Sequence, residues 1–316
     1  MKTSIRILWP IAATVVLWLM VCAIAGIVSG EGALHPSRRP LTQEDEARTT
    51  VLAMSHGATL LRPTIPAADG IRLNGWLFRP TNWNGDAVIL LHGQTDSHVG
   101  VYGPAELLLK HGYTVLLPDA RAHGSSGGSI ATYGVLEAED IRRWFDWLAQ
   151  SQAPHCIDGL GESMGAAQVL QSLTTVPGYC AVVAESPFAS FRDASYDRIG
   201  QWFNTGPWLG RTLFRPAVDF GFFYVRRRYS IDLEQDNPAQ AVAAGHVPVF
   251  VIDGLLDDNL PAHNDEKILA ESRARRSGVV LWEPPDAGHC GALGAEPEEY
   301  ERRVVGWLQS HRTSLR

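Results

Sequence analysis

The sequence predicts an α/β protein built on a mostly parallel, doubly wound sheet, with an inserted helical cap and an N-terminal apolar helix. Short apolar runs alternate with amphipathic segments from residue 87 onwards, which is typical of βαβ units. One segment, 187–246, is too long for a plain crossover and is therefore predicted to be the cap. Near the amino terminus, residues 7–28 are almost wholly apolar and long enough to cross a membrane.

The apolar helix predicts a transmembrane anchor at residues 1–30. Lys2 and Arg6 place positive charge before the apolar run, which favours an amino terminus inside and a domain on the outer, periplasmic or extracytoplasmic face. A cleaved signal peptide is the competing interpretation, because Ala-Ile-Ala at 23–25 resembles a cleavage site, although the apolar run continues past it. A third interpretation is that the apolar run forms a buried helix of a soluble domain. We expect a single-pass membrane protein.

The anchor is followed by a polar region. Residues 31–54 are rich in charge and contain Pro36 and Pro40, so they are predicted to be a linker. Residues 55–316 then suit one large α/β domain that carries the cap. The formal net charge of −7 argues against nucleic acid as a partner.

Each element of the domain follows from its local pattern. Alternating apolar and polar residues at 59–80 flank Asp69-Gly70, which is a hairpin signal. The continuous apolar run at 87–91 predicts a strand buried on both faces, and amphipathic spacing predicts a helix at 137–150. The other predictions are a helix at 105–111, strands at 113–119, 155–162, 180–185, 247–253 and 278–283, and helices near 164–174, 263–275 and 296–311.

The most informative motif is the pentapeptide Gly-Glu-Ser-Met-Gly at 161–165, between a predicted strand and a predicted helix. A serine on such a sharp turn exposes its hydroxyl, and the flanking glycines remove side chains that would clash there. The pentapeptide alone is a weak signal, so its context decides. Ser163 is the candidate nucleophile, and an ordinary helix N-cap is its alternative role.

Candidate partners follow Ser163 in the chain order Ser, Asp, His. Asp257 and His289 each lie just past a predicted strand, so all three residues fall at carboxyl ends of strands, where parallel sheets bind ligands. A histidine can take the serine's proton, and a carboxylate can orient the imidazole. Asp253 and Asp258 compete with Asp257 for the acid. The alternative bases are His92, His123, His246 and His263.

An oxyanion that develops during attack needs preset N–H donors. The amide of Met164, directly after the serine, is one candidate, and the amide of Gln94, after the strand at 87–91, is the second. The histidines and carboxylates lack metal-ligand spacing, so we expect neither a metal nor a cofactor.

The predicted cap is rich in aromatic residues. An aromatic cap beside a nucleophile favours an apolar acyl group over a charged one, and near a membrane the same segment is a candidate for lipid contact. The alternative is that these rings only fix the cap onto the core. Residues 226–228 are three arginines, which suit either phosphate contact or a solvated face. The aromatic residues are Trp202, Phe203, Trp208, Phe214, Phe220, Phe222, Phe223 and Tyr224.

The four cysteines do not indicate a redox compartment by their number. Cys156 and Cys180 begin two strands that are predicted neighbours, so they could pair in an exported domain, although free core cysteines are the favoured interpretation. Cys22 lies in the apolar helix. Cys290 follows His289 and is interpreted as a small filler, with a second nucleophile as the alternative.

Together these motifs resemble the α/β-hydrolase superfamily over about residues 55–312, especially the serine-aminopeptidase-like branch with monoacylglycerol lipases and small depalmitoylating thioesterases. The resemblance implies an α/β-hydrolase fold, a triad of Ser163, Asp257 and His289, and hydrolysis through an acyl-enzyme. Ala122 and Gln94 depart from the family pattern, in which smaller residues are commoner at these positions. The matching patterns are Leu91-His92-Gly93, the loop 119–127, the pentapeptide 161–165, Glu185-Ser186-Pro187 and the acid loop 257–261.

We therefore expect a membrane-anchored serine hydrolase that cleaves an ester or thioester of an apolar acyl group, from a small-molecule or lipid substrate. A serine aminopeptidase is the alternative enzyme, in which Glu162 or Asp119 would hold the substrate's free amine. A non-catalytic hydrolase-fold binding module is the alternative of another class. Such proteins usually lose a triad member, whereas all three candidates are present here.

Overall fold

The computed structural model describes residues 2–176, 178–275 and 278–312. The chain divides into two compact units, one formed by residues 2–34 and 191–235 and the other by residues 35–190 and 236–312. The helices of the described chain are α1 (Lys2–Leu34), α2 (Gln43–Ser55), α3 (Tyr102–Lys110), α4 (Glu137–Gln152), α5 (Met164–Gln171), α6 (Phe191–Trp202), α7 (Trp208–Arg211), α8 (Arg215–Tyr229), α9 (Pro238–Ala244), α10 (His263–Arg275), α11 (Ala292–Ala295) and α12 (Pro297–Ser310).

The larger unit is built on a sheet that has nine strands in the described part of the chain. These are β1 (Thr59–Leu61), β2 (Thr64–Pro66), β3 (Arg72–Arg79), β4 (Ala87–Leu91), β5 (Thr114–Pro118), β6 (Ile157–Glu162), β7 (Val182–Glu185), β8 (Val249–Ile252) and β9 (Val279–Trp282). Their order is β1-β3-β5-β4-β6-β7-β8-β9, with β2 paired to β3. The pairs of β3 are antiparallel and the others are parallel. The predicted mostly parallel sheet is therefore confirmed.

Strands β4 and β8 are apolar throughout because helices cover both faces of the sheet. In β4, Val88 and Leu90 enter a core with α2, α3 and α12, whereas Ile89 and Leu91 enter a second core with α4, α5, α9 and α10. Alternate side chains of a strand point to opposite faces, so a central strand needs an unbroken apolar run.

The region predicted as a linker, 31–54, is largely helical. Residues 31–34 complete α1, and most of the remainder belongs to α2. Thr42 and Asp45 form a reciprocal capping box at the start of α2, and Leu52 packs into the core of the larger unit. The prediction of a linker was wrong for these residues, because it was based on their charge and did not take into account the capping box that begins a helix.

Cys156 and Cys180 form a disulfide, against the favoured expectation of free thiols. They lie just before the neighbouring parallel strands β6 and β7, with their Cα atoms 6.0 Å apart, a separation that a disulfide can span. The closed loop contains the whole of β6 and α5 and therefore Ser163. Cys22 and Cys290 are free.

The smaller unit contains α1, α6, α7 and α8. Its inserted part, 191–235, is shorter at both ends than the predicted cap, 187–246. The difference arises chiefly from α9, which packs Ala239 and Val242 into the core of the larger unit. In the described chain, one helix is long and apolar enough to cross a membrane, over Trp9–Leu34 of α1.

Candidate active site

Ser163 occupies a sharp turn between β6 and α5. Its backbone lies at φ 53° and ψ −115°, a conformation unusual for a residue with a side chain, and its amide donates to the Glu185 carbonyl at 2.9 Å. A Cβ added at Gly161 would overlap the Gly165 carbonyl, and one added at Gly165 would overlap the Leu91 carbonyl. The two glycines are therefore needed for the backbone to pass closely enough to hold this turn.

The side chains of Ser163, His289 and Asp257 form a continuous hydrogen-bonded chain. His289 Nε2 lies 2.8 Å from Ser163 Oγ, and His289 Nδ1 lies 2.7 Å from Asp257 Oδ2. The other carboxylate oxygen of Asp257 accepts the amides of Asn259 and Leu260 at 2.8 and 2.9 Å. The Asp257 side chain is 1% exposed and the His289 ring 23%, so the ring keeps an open side at which a substrate can bind.

The charge on Asp257 fixes the tautomer of the histidine. Burial alone would raise the pKa of the Asp257 carboxyl, but hydrogen bonds from His289 and from the Leu260 amide outweigh burial and hold this pKa below its usual range. An ionised carboxylate accepts Nδ1–H from His289. His289 Nε2 is then left to accept the proton of the Ser163 hydroxyl.

The alternative acids, Asp253 and Asp258, are not the carboxylates that contact His289. Asp253 follows β8 and is buried, and its carboxyl faces Asp265 and Ser186. Burial first, and then Asp265, raises the pKa of Asp253. Asp258 shares the loop with Asp257, but it is Asp257 that reaches His289.

His92 and His123 are buried in the loops of the larger unit. The Nδ1–H of His92 donates to the Gly93 carbonyl at 2.7 Å, and its Nε2 accepts the Ala120 amide at 3.1 Å. Burial lowers the pKa of His92, and it lowers that of His123 to about 4. A neutral His92 with one donor and one acceptor joins the loop after β4 to the loop after β5. His246 lies before β8 and His263 begins α10.

The two candidate oxyanion donors flank the serine. Met164 is the first residue of α5, so its amide lies at the positive end of that helix. Gln94 follows Gly93, at which an added Cβ would be 3.7 Å from the Ser163 Cβ. Within the described residues, no hydrogen bond takes up either amide, which leaves both able to donate.

Sequence analysis missed the residue that ties down the loop after β5. Arg38, within the predicted linker, donates to the backbone carbonyls of Gly124, Ser126 and Gly128. No local signal reports a contact that spans almost ninety residues of the chain. Arg38 fixes part of the loop whose sequence resembles the hydrolase pattern.

Comparison with known proteins gives concordant matches. The α/β hydrolase family model matches residues 88–303. An uncharacterised protein of Mycobacterium tuberculosis (strain H37Rv) is 30% identical over 244 residues, or 76% of this chain and 74% of that protein. The Pyrococcus furiosus esterase Pf2001 is similar in structure, with a TM-score of 0.68 at 25% identity over 89% of this chain and 100% of that one. The Pyrococcus horikoshii acylaminoacyl peptidase gives a TM-score of 0.63 at 14% identity over 82% and 42%, a likeness of fold alone.

Proposed function

Since the chain belongs to the α/β hydrolase family, we propose that it is a serine hydrolase, anchored in a membrane by α1, that cleaves an ester or thioester of an apolar acyl group. The observation that carries the proposal is the hydrogen-bonded chain from Ser163 through His289 to Asp257, with distances of 2.8 and 2.7 Å. This geometry meets the needs of nucleophilic catalysis, because a base lies within reach of the nucleophile and an acid orients the base.

The mechanism has two halves. Ser163 Oγ attacks the acyl carbonyl as His289 takes its proton, and the amides of Met164 and Gln94 donate to the oxyanion. The C–O or C–S bond then breaks, and His289 returns the proton to the leaving alcohol or thiol. In the second half, water attacks the acyl-enzyme with His289 again as base, which releases the acid and free Ser163.

The aminopeptidase alternative needs a carboxylate that can hold a substrate's amine. Asp119 is fully buried, and its carboxylate already accepts two hydrogen bonds from His98 and two from Ser125. Burial first, and then Glu185, raises the pKa of Glu162 well above its usual value, which favours a neutral acid over an amine-binding carboxylate. The esterase likeness supports the same choice.

The anchor is proposed from α1, which remains apolar over Trp9–Leu34. Lys2 and Arg6 favour an amino terminus on the inner side. A disulfide between Cys156 and Cys180 suits a domain on the oxidising, outer side. A full chain that resists carbonate extraction from membranes is the expected result, and a soluble chain beginning near Gly26 or Gly30 would contradict it.

The test of the enzyme combines a fluorophosphonate probe with a substrate panel. We expect labelling of the wild type and none of Ser163→Ala, together with a fall of about 10⁶-fold in kcat. Hydrolysis of p-nitrophenyl esters should exceed that of aminoacyl amides and should rise with acyl chain length. An unlabelled wild type without activity on any ester would favour the non-catalytic binding module, and faster hydrolysis of the amides would favour the aminopeptidase.

A further inference from the structure

Within the smaller unit, α1 and α8 run side by side in the same direction. The rings of Trp18 and Phe214 lie 5.1 Å apart at one end. At the other, Glu31 accepts hydrogen bonds from the hydroxyls of Tyr224 and Tyr229. The paired stretch runs from Trp18 to Glu31 of α1, a rise of about 20 Å along the helix.

Small residues allow the two helices to approach closely between these ends. A Cβ added at Gly26 would overlap the Ala217 carbonyl, and one added at Gly221 would lie 2.9 Å from the Gly26 carbonyl. One added at Gly30 would lie 3.2 Å from the Val225 side chain. Close packing through glycines four residues apart is a common way in which helices associate in membranes. This packing makes α1 a structural part of the inserted helical unit.

Between Trp9 and Val28, the face of α1 turned away from α8 is exposed and largely apolar. In the central turns of α1, Cys22 and Gly26 are buried and Trp18 is half-buried. These three residues are spaced four apart and therefore lie on the one face of α1 that packs against α8. The remaining surface is that of a lipid-facing helix. The exposed large apolar residues of α1 are Trp9, Ile11, Val15, Val16, Leu17, Leu19, Met20, Val21, Ile24, Ile27 and Val28.

The helical insertion presents an apolar tip at the level of Trp18. We call residues 202–214 the cap tip. Phe203 stacks on Phe214 at 5.1 Å, and Phe214 in turn contacts Trp18. Four large side chains of the tip are more than half exposed, and Arg211 is its one charged residue. They are Trp202, Phe203, Trp208 and Leu213.

The opposite end of α8 is basic. The exposed arginines 226–228 follow Phe223, which is 64% exposed. Because α1 and α8 are parallel, these arginines lie level with residues near Glu31, just beyond the point where the apolar run of α1 ends. The unit therefore runs from an apolar tip to a basic end over about 18 Å, and between them α8 carries Arg215 and Asp219 as an ion pair. An apolar tip and a basic end suit a surface that enters a lipid leaflet and contacts phosphate headgroups.

We propose that the cap tip is inserted in the bilayer, in the same leaflet that the carboxyl-terminal half of α1 crosses, with the arginines 226–228 at the headgroups. The inference rests on the proposed membrane anchor and goes beyond it, since an anchor alone would leave the tip in water. The partner is phospholipid, because the exposed tip continues the apolar surface of a helix that itself faces lipid.

The test uses the full chain in vesicles of brominated phosphatidylcholine, which quenches tryptophans that contact acyl chains. Trp9 and Trp18 report the anchor, and Trp202 and Trp208 report the cap tip. We expect the W202F/W208F variant to keep the anchor signal and to lose about half of the quenched intensity, because two of the four tryptophans of α1 and the cap tip are removed. The matched control, W83F/W147F in the larger unit, should leave the quenched intensity unchanged.

Equal quenched intensity in the wild type and in W202F/W208F would overturn the inference and leave the anchor intact. A dimer in detergent with this result would mean that a second copy covers the tip. If neither protein is quenched, the anchor fails and the inference fails with it.

Discussion

Two backbone amides and one imidazole converge on the carboxylate of Asp257. In Asp257→Asn, the side-chain amide would favour the wrong tautomer of His289, so the ring could no longer accept the Ser163 proton. We expect the rate of ester hydrolysis to fall by about 10⁴-fold, measured with a p-nitrophenyl ester. Asp258→Asn, one residue further along the same loop, should change the rate by only a few-fold. If the two variants lost the same fraction of the hydrolysis rate, Asp257 could not be assigned as the acid that orients His289.

The buried carboxyl pair of Asp253 and Asp265 makes a second prediction. Within the described residues, no donor hydrogen-bonds to Asp253 Oδ1 or to either oxygen of Asp265. The two carboxyls can therefore hydrogen-bond to each other only if one of them retains a proton. Burial first, and then the nearby Asp265, raises the pKa of Asp253. The folded protein then binds a proton that the unfolded chain releases. The contribution of this pair to stability should be full below the pKa of the unfolded aspartates and should be lost as the pH rises through the raised folded pKa.

The measurement is the melting temperature of Asp253→Asn between pH 5 and pH 9. An amide needs no proton, so the variant should lose less stability than the wild type as the pH rises. Asp286→Asn, an exposed aspartate on the loop before His289, should keep the wild-type slope. Parallel slopes in Asp253→Asn and the wild type would show that the pair does not hold the proton.

At the scale of the element, the α1–α8 contact predicts opposite fates for two glycines of the same helix. A Cβ at Gly26 would overlap the Ala217 carbonyl, whereas one at Gly32 would meet nothing within 4 Å. Gly26→Ala should therefore cost about 1–3 kcal/mol, since packed backbone must move. Gly32→Ala should be neutral or slightly stabilising.

Thermal unfolding in detergent measures this difference. Identical melting temperatures for the wild type, Gly26→Ala and Gly32→Ala would contradict the packing.

Sequence patterns could predict those elements whose signal is local. The apolar run of β4 and the pentapeptide around Ser163 depend on adjacent residues, and the ends of parallel strands place Asp257 and His289 at one edge. The contacts of Arg38 and the pairing of Asp253 with Asp265 could not be predicted, because both depend on which distant segments become neighbours. The predicted end of the cap was wrong for the same reason. The apolar face of α9 packs into the core of the larger unit, and the local sequence does not show that contact.

At the scale of the whole molecule, the proposed anchor and the disulfide favour the same location for the larger unit. The positive charges of Lys2 and Arg6 favour an inner amino terminus, and the Cys156–Cys180 disulfide would persist on the outer side. Without reductant, the denatured chain should bind maleimide at two cysteines, Cys22 and Cys290. After reduction it should bind at all four. Four labelled cysteines before reduction would contradict both the disulfide and the outer location.

The same disulfide should also stabilise the segment that carries Ser163. It joins residues 24 apart and encloses Ser163, so the C156S/C180S variant should lose about 3 kcal/mol from the extra freedom of its unfolded chain. Reductant should lower the melting temperature of the wild type and of Cys290→Ser, but it should leave that of C156S/C180S unchanged. If reductant lowers all three equally, the stabilisation does not come from this bond, and the closed loop would no longer explain how the serine turn is held.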